Sequence, residues 1–327
     1  MSFFTRKFPF IKEGVESFIN GHPDLISRLL YRLGKDKAPM LPDLVVKIET
    51  TNACNGSCDY CPRFSMTRPI GVMEEGLYNR IVDECADIGI RNFHLQNYGD
   101  PLLDPFIARR ISYAKKKGIN NVTIYTNGLL LNENLSEELI KAGLDDICVS
   151  IDPPDDNTDN QCERKDLPVE RVSENIRNFS LIKKRLGKKK PKIIITATAS
   201  DKENPNIPEF KNNWLSYIDK VMISPVHNWG GRNTLDEKKE MKPCLRLWFT
   251  LTILWDGRVS LCCVDYDGKH IIGDVRDSTI KSIWNSDQYR ALRRQSLTSD
   301  YKDGILCKNC SLPNKDSLYW TKNLIFK

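Results

Sequence analysis

The residues of this chain best suited to chemistry are three thiols packed into eight positions: Cys54, Cys58 and Cys61, in the stretch IETTNACNGSCDYCPRFS. Their C-x3-C-x2-C spacing follows an apolar, β-rich segment, LVVKIET, which predicts a loop at a strand end. Three thiolates leave a tetrahedral zinc ion one ligand short, and no histidine lies within thirty residues to complete it. The same three suit a [4Fe-4S] cluster in which one iron stays open to an outside ligand. Zinc completed from elsewhere, or three unrelated core thiols, are the alternatives.

A second set, Cys244, Cys262, Cys307 and Cys310, ends in the C-x2-C of CKNC. Four thiols are enough to close either a cluster or a zinc site. Of the rest, Cys85 falls on the apolar face of a helical pattern and Cys148 inside a strand, so both read as small buried hydrophobes.

The whole composition agrees with thiols kept for metal. The opening residues, MSFFTRKFPFIKEGVESF, lack the apolar run and cleavage site of a signal peptide, and no stretch is long and apolar enough to span a membrane. A cytoplasmic location is expected, where eleven cysteines stay reduced. The formal charge of +6 concentrates in KKRLGKKKPK, residues 183–192, which has no interleaved aromatic and reads as a solvated loop between helix and strand, so no nucleic-acid partner is expected.

These thiols need a scaffold. The segments LVVKIET, NFHLQNY, NVTIYTN, DICVSID, KIIITATA and DKVMISP alternate with amphipathic stretches such as EEGLYNRIVDECADIG and VERVSENIRNFSLIKKRLG. Strand–helix alternation of this kind builds parallel βα units with right-handed crossovers. Six units are too few to close an eight-fold barrel, so the fold class is α/β, a partial (β/α)6 TIM-like barrel over residues 43–240, its loops converging after the strand ends. Residues 1–42 read as an N-terminal helical appendage. From residue 241 to 327 the texture changes to a hairpin turning at Asp256-Gly257 and the helical TIKSIWNSDQYRALRRQS, a small C-terminal domain.

CNGSCDYC resembles the signature of the radical S-adenosylmethionine superfamily. The resemblance implies that S-adenosylmethionine takes the open iron through its amino and carboxylate groups and is cleaved to a 5′-deoxyadenosyl radical, with a flavodoxin- or ferredoxin-type reductant as electron source. It places Tyr60 beside the adenine. YGDP (Tyr98, Gly99, Asp100, Pro101) resembles the family's Gly-Gly-Glu-Pro turn at the methionine ammonium, with Tyr98 for the first Gly and the shorter Asp100 for Glu. Asn127 of TNG, Ser150 and Asp152 of SID, and Arg164 resemble contacts to ribose and the methionine carboxylate. The second cysteine set resembles a SPASM or Twitch extension holding an auxiliary [4Fe-4S] cluster, zinc being the alternative.

In the loop SPVHNWGGRN the resemblance implies Arg232 first and His227 second as groups to anchor or deprotonate a substrate hydroxyl. Cys162 and Cys263 are candidate hydrogen-atom donors to a substrate radical, or inert thiols. The expected reaction, by resemblance, is oxidation of a carbinol in a sugar- or aminocyclitol-like small molecule, with the auxiliary cluster accepting an electron. Epimerisation, modification of a ribosomal peptide and a non-enzymatic iron–sulfur carrier are the other readings.

Overall fold

The computed structural model describes residues 44–153, 164–199, 206–225, 228–230, 243–244 and 246–311. The expected N-terminal appendage, Cys162, His227 and Arg232 lie outside them.

The strand β1 (Val45–Ile48) leads into the cysteine loop, where a short strand β2 (Ser57–Cys58) follows. Helix α1 (Glu75–Asp87), β3 (Asn92–Leu95), α2 (Ile107–Lys116), β4 (Asn121–Thr126), α3 (Glu133–Lys141) and β5 (Asp146–Ser150) then alternate as the periodicity predicts. After β6 (Arg164–Lys165), the helix α4 (Val169–Arg185), β7 (Lys192–Ala199), α5 (Ile207–Trp214) and β8 (Lys220–Pro225) complete the βα series. The strands β1, β3, β4, β5, β7 and β8 are parallel neighbours in that order, and the sheet stays open beyond β8.

Register decides which residues reach the interior. Lys47, His94, Thr123, Asp146 and Lys192 lie side by side across five strands, forming a polar row on one face. Val46, Phe93 and Val122, one residue out of phase, are fully buried in the apolar core. The helices supply the rest of that core through Ile81 and Cys85 of α1, Ile111 of α2, Leu139 of α3, and Ile176 and Phe179 of α4.

The C-terminal segment continues the same sheet. A single turn of helix, α6 (Arg246–Phe249), runs into β9 (Thr250–Ile253), which pairs in parallel with β1 from Val45↔Thr250 to Ile48↔Ile253. The hairpin expected at Asp256-Gly257 joins β9 to β10 (Arg258–Ser260), and β11 (Ile271–Asp274) closes the nine-stranded sheet. The stretch read as one helical run is two, α7 (Ile280–Trp284) and α8 (Asp287–Thr298). Ser286 divides them because its hydroxyl accepts from Tyr289 N at 3.2 Å, capping α8.

A buried ion pair locks the cysteine loop to this frame. Arg68, on the loop's exit, donates from both Nη atoms to Glu49, just past β1, at 2.6 and 2.5 Å. Its Nε donates to Tyr266 O at 2.7 Å, and Asp267 accepts from Thr67 N at 2.5 Å. Glu49 also receives Asn97 Nδ2 and Trp255 N. With both side chains almost wholly shielded from water, removing one partner strands a charge. Arg68→Met is expected to cost about 3 kcal/mol in urea unfolding, and adding Glu49→Gln to it should recover more than half.

Candidate active site

The expected cofactor residues Tyr98 to Pro101, Asn127 and Asp152 follow strand ends, Ser150 ends β5 and Arg164 begins β6, and the structure brings most of them against the cysteine loop. The turn after β3 presses on that loop most tightly. A Cβ on Gly99 would lie 2.2 Å from Thr51 O and 2.7 Å from Ala53 O, so only glycine permits the approach. Asp100 N then donates to Ala53 O at 2.7 Å.

The Asp100 carboxylate is occupied within the protein. It accepts Thr126 Oγ1 at 2.9 Å on both oxygens, Asn127 N at 2.8 Å and Leu102 N at 2.9 Å. It is 2% exposed, and burial raises its pKa despite the hydrogen bonds that oppose the shift. In this geometry Asp100 brackets the β3 and β4 loops together. Pro101 opens the 3₁₀ turn that follows it.

Asn127 extends the bracket to the thiols. Its Nδ2 donates to Asn55 Oδ1 at 2.7 Å and lies 4.0 Å from Cys54 Sγ, while its Oδ1 accepts from Leu129 N. On the other side of the loop β2 pairs with β6, which sets Cys58 opposite Arg164. Arg164 Nε lies 2.7 Å from Asp152 Oδ2 and its guanidinium 5.3 Å from the Tyr60 ring. Tyr60 donates to the same Asp152 at 2.9 Å, and Thr198 N donates to it at 2.6 Å. Asp152 thus joins Tyr60 of the cysteine loop, Arg164 and β7 at one point. Ser150 is 3.2 Å from Thr196 across β5 and β7.

The loop itself folds so that Cys61 N donates to Cys58 O at 3.0 Å. Burial pushes the Cys58 thiol up to about 11, against the pull of Arg164, and raises Cys54 and Cys61 as well. Thiols held this way bind metal by giving up protons on loading. Among the described residues, no three His, Cys, Asp or Glu side chains converge as the ligands of one ion would.

The second set gathers around a small cavity lined by Cys244, Cys262, Cys307 and Cys310 together with Arg246 and Tyr301. α8 anchors its first member, Cys244 N donating to Ser296 Oγ at 2.9 Å, and the 3₁₀ turn Leu306–Asn309 brings the last two together. Arg246 is a buried cation among these thiols, 5% exposed. Cys263 stands apart from the cavity lining, its Sγ accepting from Arg246 Nη1 at 3.5 Å. The sequence reading missed Glu49, Arg68 and Arg246. The signals were a charged alternation, Lys47 then Glu49, in an apolar strand and an arginine two residues past Cys244.

Residues 48–188 match the family model of the radical SAM superfamily, and residues 244–311 that of the SPASM iron–sulfur cluster-binding domain. The chain thus carries a radical SAM domain followed by a SPASM domain. It is a radical SAM enzyme whose barrel takes a [4Fe-4S] cluster and S-adenosylmethionine and whose SPASM domain takes auxiliary iron–sulfur. The S-adenosyl-L-methionine-dependent 2-deoxy-scyllo-inosamine dehydrogenase of Niallia circulans is 22% identical over 277 residues, 82% of this chain and 92% of that protein. A GTP 3′,8-cyclase of Chlorobaculum tepidum is 34% identical, over 37% of this chain and 36% of its own. Among solved structures, BtrN with AdoMet and 2-DOIA superposes with a TM-score of 0.56 at 19% identity, covering 81% of this chain and 92% of its own. Streptococcus suis SuiB bound to its precursor peptide SuiA reaches 0.61 at 15% identity, covering 83% and 70%. No helix among the described residues of this radical SAM enzyme is long and apolar enough to cross a membrane.

The close approach at Gly99 yields a test. Gly99→Ala is expected to displace the cysteine loop and to remove about four irons per chain after anaerobic reconstitution. Gly76→Ala, in α1 where a Cβ meets only Glu74 Oε1 at 3.8 Å, should keep them all.

Proposed function

We propose that this enzyme oxidises a carbinol carbon of a small polyol of the sugar or aminocyclitol kind to a ketone. The observation that carries the reading is the dehydrogenase match, over 82% of this chain and 92% of that protein. With its clusters and S-adenosylmethionine bound, such a site supplies a 5′-deoxyadenosyl radical to take the carbinol hydrogen and an acceptor for the second electron.

The chain's own residues are assigned to that task as follows. Cys54, Cys58 and Cys61 hold the barrel cluster, and Cys244, Cys262, Cys307 and Cys310 the auxiliary one. Tyr60, Arg164 and Asp152, tied together by the bonds above, frame the S-adenosylmethionine pocket. Arg232 anchors the substrate hydroxyl, with His227 as the alternative. Arg246 sets a fixed positive charge beside the auxiliary thiols, which favours the site with one more electron.

Reconstituted protein given dithionite, S-adenosylmethionine and 2-deoxy-scyllo-inosamine should form 5′-deoxyadenosine and ketone in equal amounts. Its iron content should be about eight per chain, falling to about four with Cys54, Cys58 and Cys61 all changed to Ala. Zinc in the second site would sink the electron-acceptor role, and turnover of a peptide with none of the polyol would replace the substrate class. In Arg246→Gln, iron content should hold while the auxiliary cluster's midpoint, followed by electron paramagnetic resonance, moves to more negative potential.

A further inference from the structure

Tyr98 opens the YGDP turn that follows β3. The residue is 5% exposed, and its hydroxyl is buried with no hydrogen-bond partner among the described residues. Burying a hydroxyl unpaired is costly, and a native fold keeps such a group where a ligand will satisfy it.

Its ring is gripped from two directions by groups distant in sequence. Trp229, after β8, lies 5.9 Å away at 51°, and Tyr266, in the loop after β10, 6.1 Å away at 75°. These aromatic contacts fix the ring, and with it the direction of the hydroxyl. Its neighbour Gly99 lies against Thr51 O and Ala53 O at the root of the first thiol loop, and Trp229 packs in turn against Val264 and against Cys310 of the second set. Tyr98 therefore stands between the two thiol sets, the interval a molecule must occupy if it is to lose hydrogen at one centre and an electron to the other.

We propose that the Tyr98 hydroxyl donates a hydrogen bond to the oxygen on the reacting carbon of the substrate, a role that rests on the carbinol reading above. Burial holds the phenol protonated, well above its ordinary range, so it serves as a donor and not as the base. A donor at that oxygen selects an alcohol over a hydrocarbon at the same position, because an analogue without the oxygen leaves the buried hydroxyl unpaired.

The test is Tyr98→Phe, which keeps the ring between Trp229 and Tyr266 and deletes only the hydroxyl. Wild type and variant are compared as reconstituted holoenzymes turning over 2-deoxy-scyllo-inosamine. The expected result is unchanged iron content, a KM for the polyol raised about tenfold, a smaller change in kcat and no change in the KM for S-adenosylmethionine. Equal KM and kcat in an active pair of enzymes would overturn the assignment of Tyr98 and leave the carbinol reading standing. A rise confined to the KM for S-adenosylmethionine would move the hydroxyl to the cofactor and overturn it too, and a fall in iron would make it a structural group. If wild type itself forms no ketone, the carbinol reading fails and this assignment falls with it.

Discussion

The pairing of Glu49 with Arg68 is the constraint on which the site depends. Charges in an interior of low polarity are tolerable only when matched, and here the match is bidentate, with further donors from Asn97 and Trp255 completing the carboxylate. Because Glu49 leaves β1 and Arg68 leaves the cysteine loop, the pair fixes where that loop begins and returns. Through Tyr266 O and Asp267 the same arginine segment also reads the position of the C-terminal hairpin, so one buried charge pair registers both thiol-bearing regions against β1.

Around that fixed point the polar side chains divide into brackets and open groups. Asp100, Asn127 and Asp152 spend their hydrogen-bonding capacity holding loops to one another. They act as the support that keeps a loop of three thiols in one shape before any iron arrives, which lowers the ordering cost of loading it. Tyr98 and Arg246 differ in kind. Each is deeply buried, and each retains capacity directed at something other than the protein frame.

The sequence showed the architecture well, and for physical reasons. Apolar β-rich runs marked the strands, the helical period marked α1, α2 and α4, and the Asp256-Gly257 turn marked its hairpin, because these are local properties of the chain. What escaped was set by distance in space. Nothing near residue 49 announces a partner at residue 68, and nothing in YGDP tells that its carboxylate turns toward Thr126 and Asn127 instead of outward. The joining of β9 to β1 escaped for the same reason, since a parallel pairing across two hundred residues leaves no local trace.

That pairing has a consequence for how the two regions belong together. Were the C-terminal segment absent, β1 would become an edge strand, exposing a row of unpaired backbone donors and acceptors beside the cysteine loop. An apolar edge, VVKI, of that kind invites another chain to pair with it. The segment that carries the second thiol set is therefore also the cover of the barrel's first strand. In evolutionary terms such a chain gains or loses its auxiliary metal site only together with a way to close that edge.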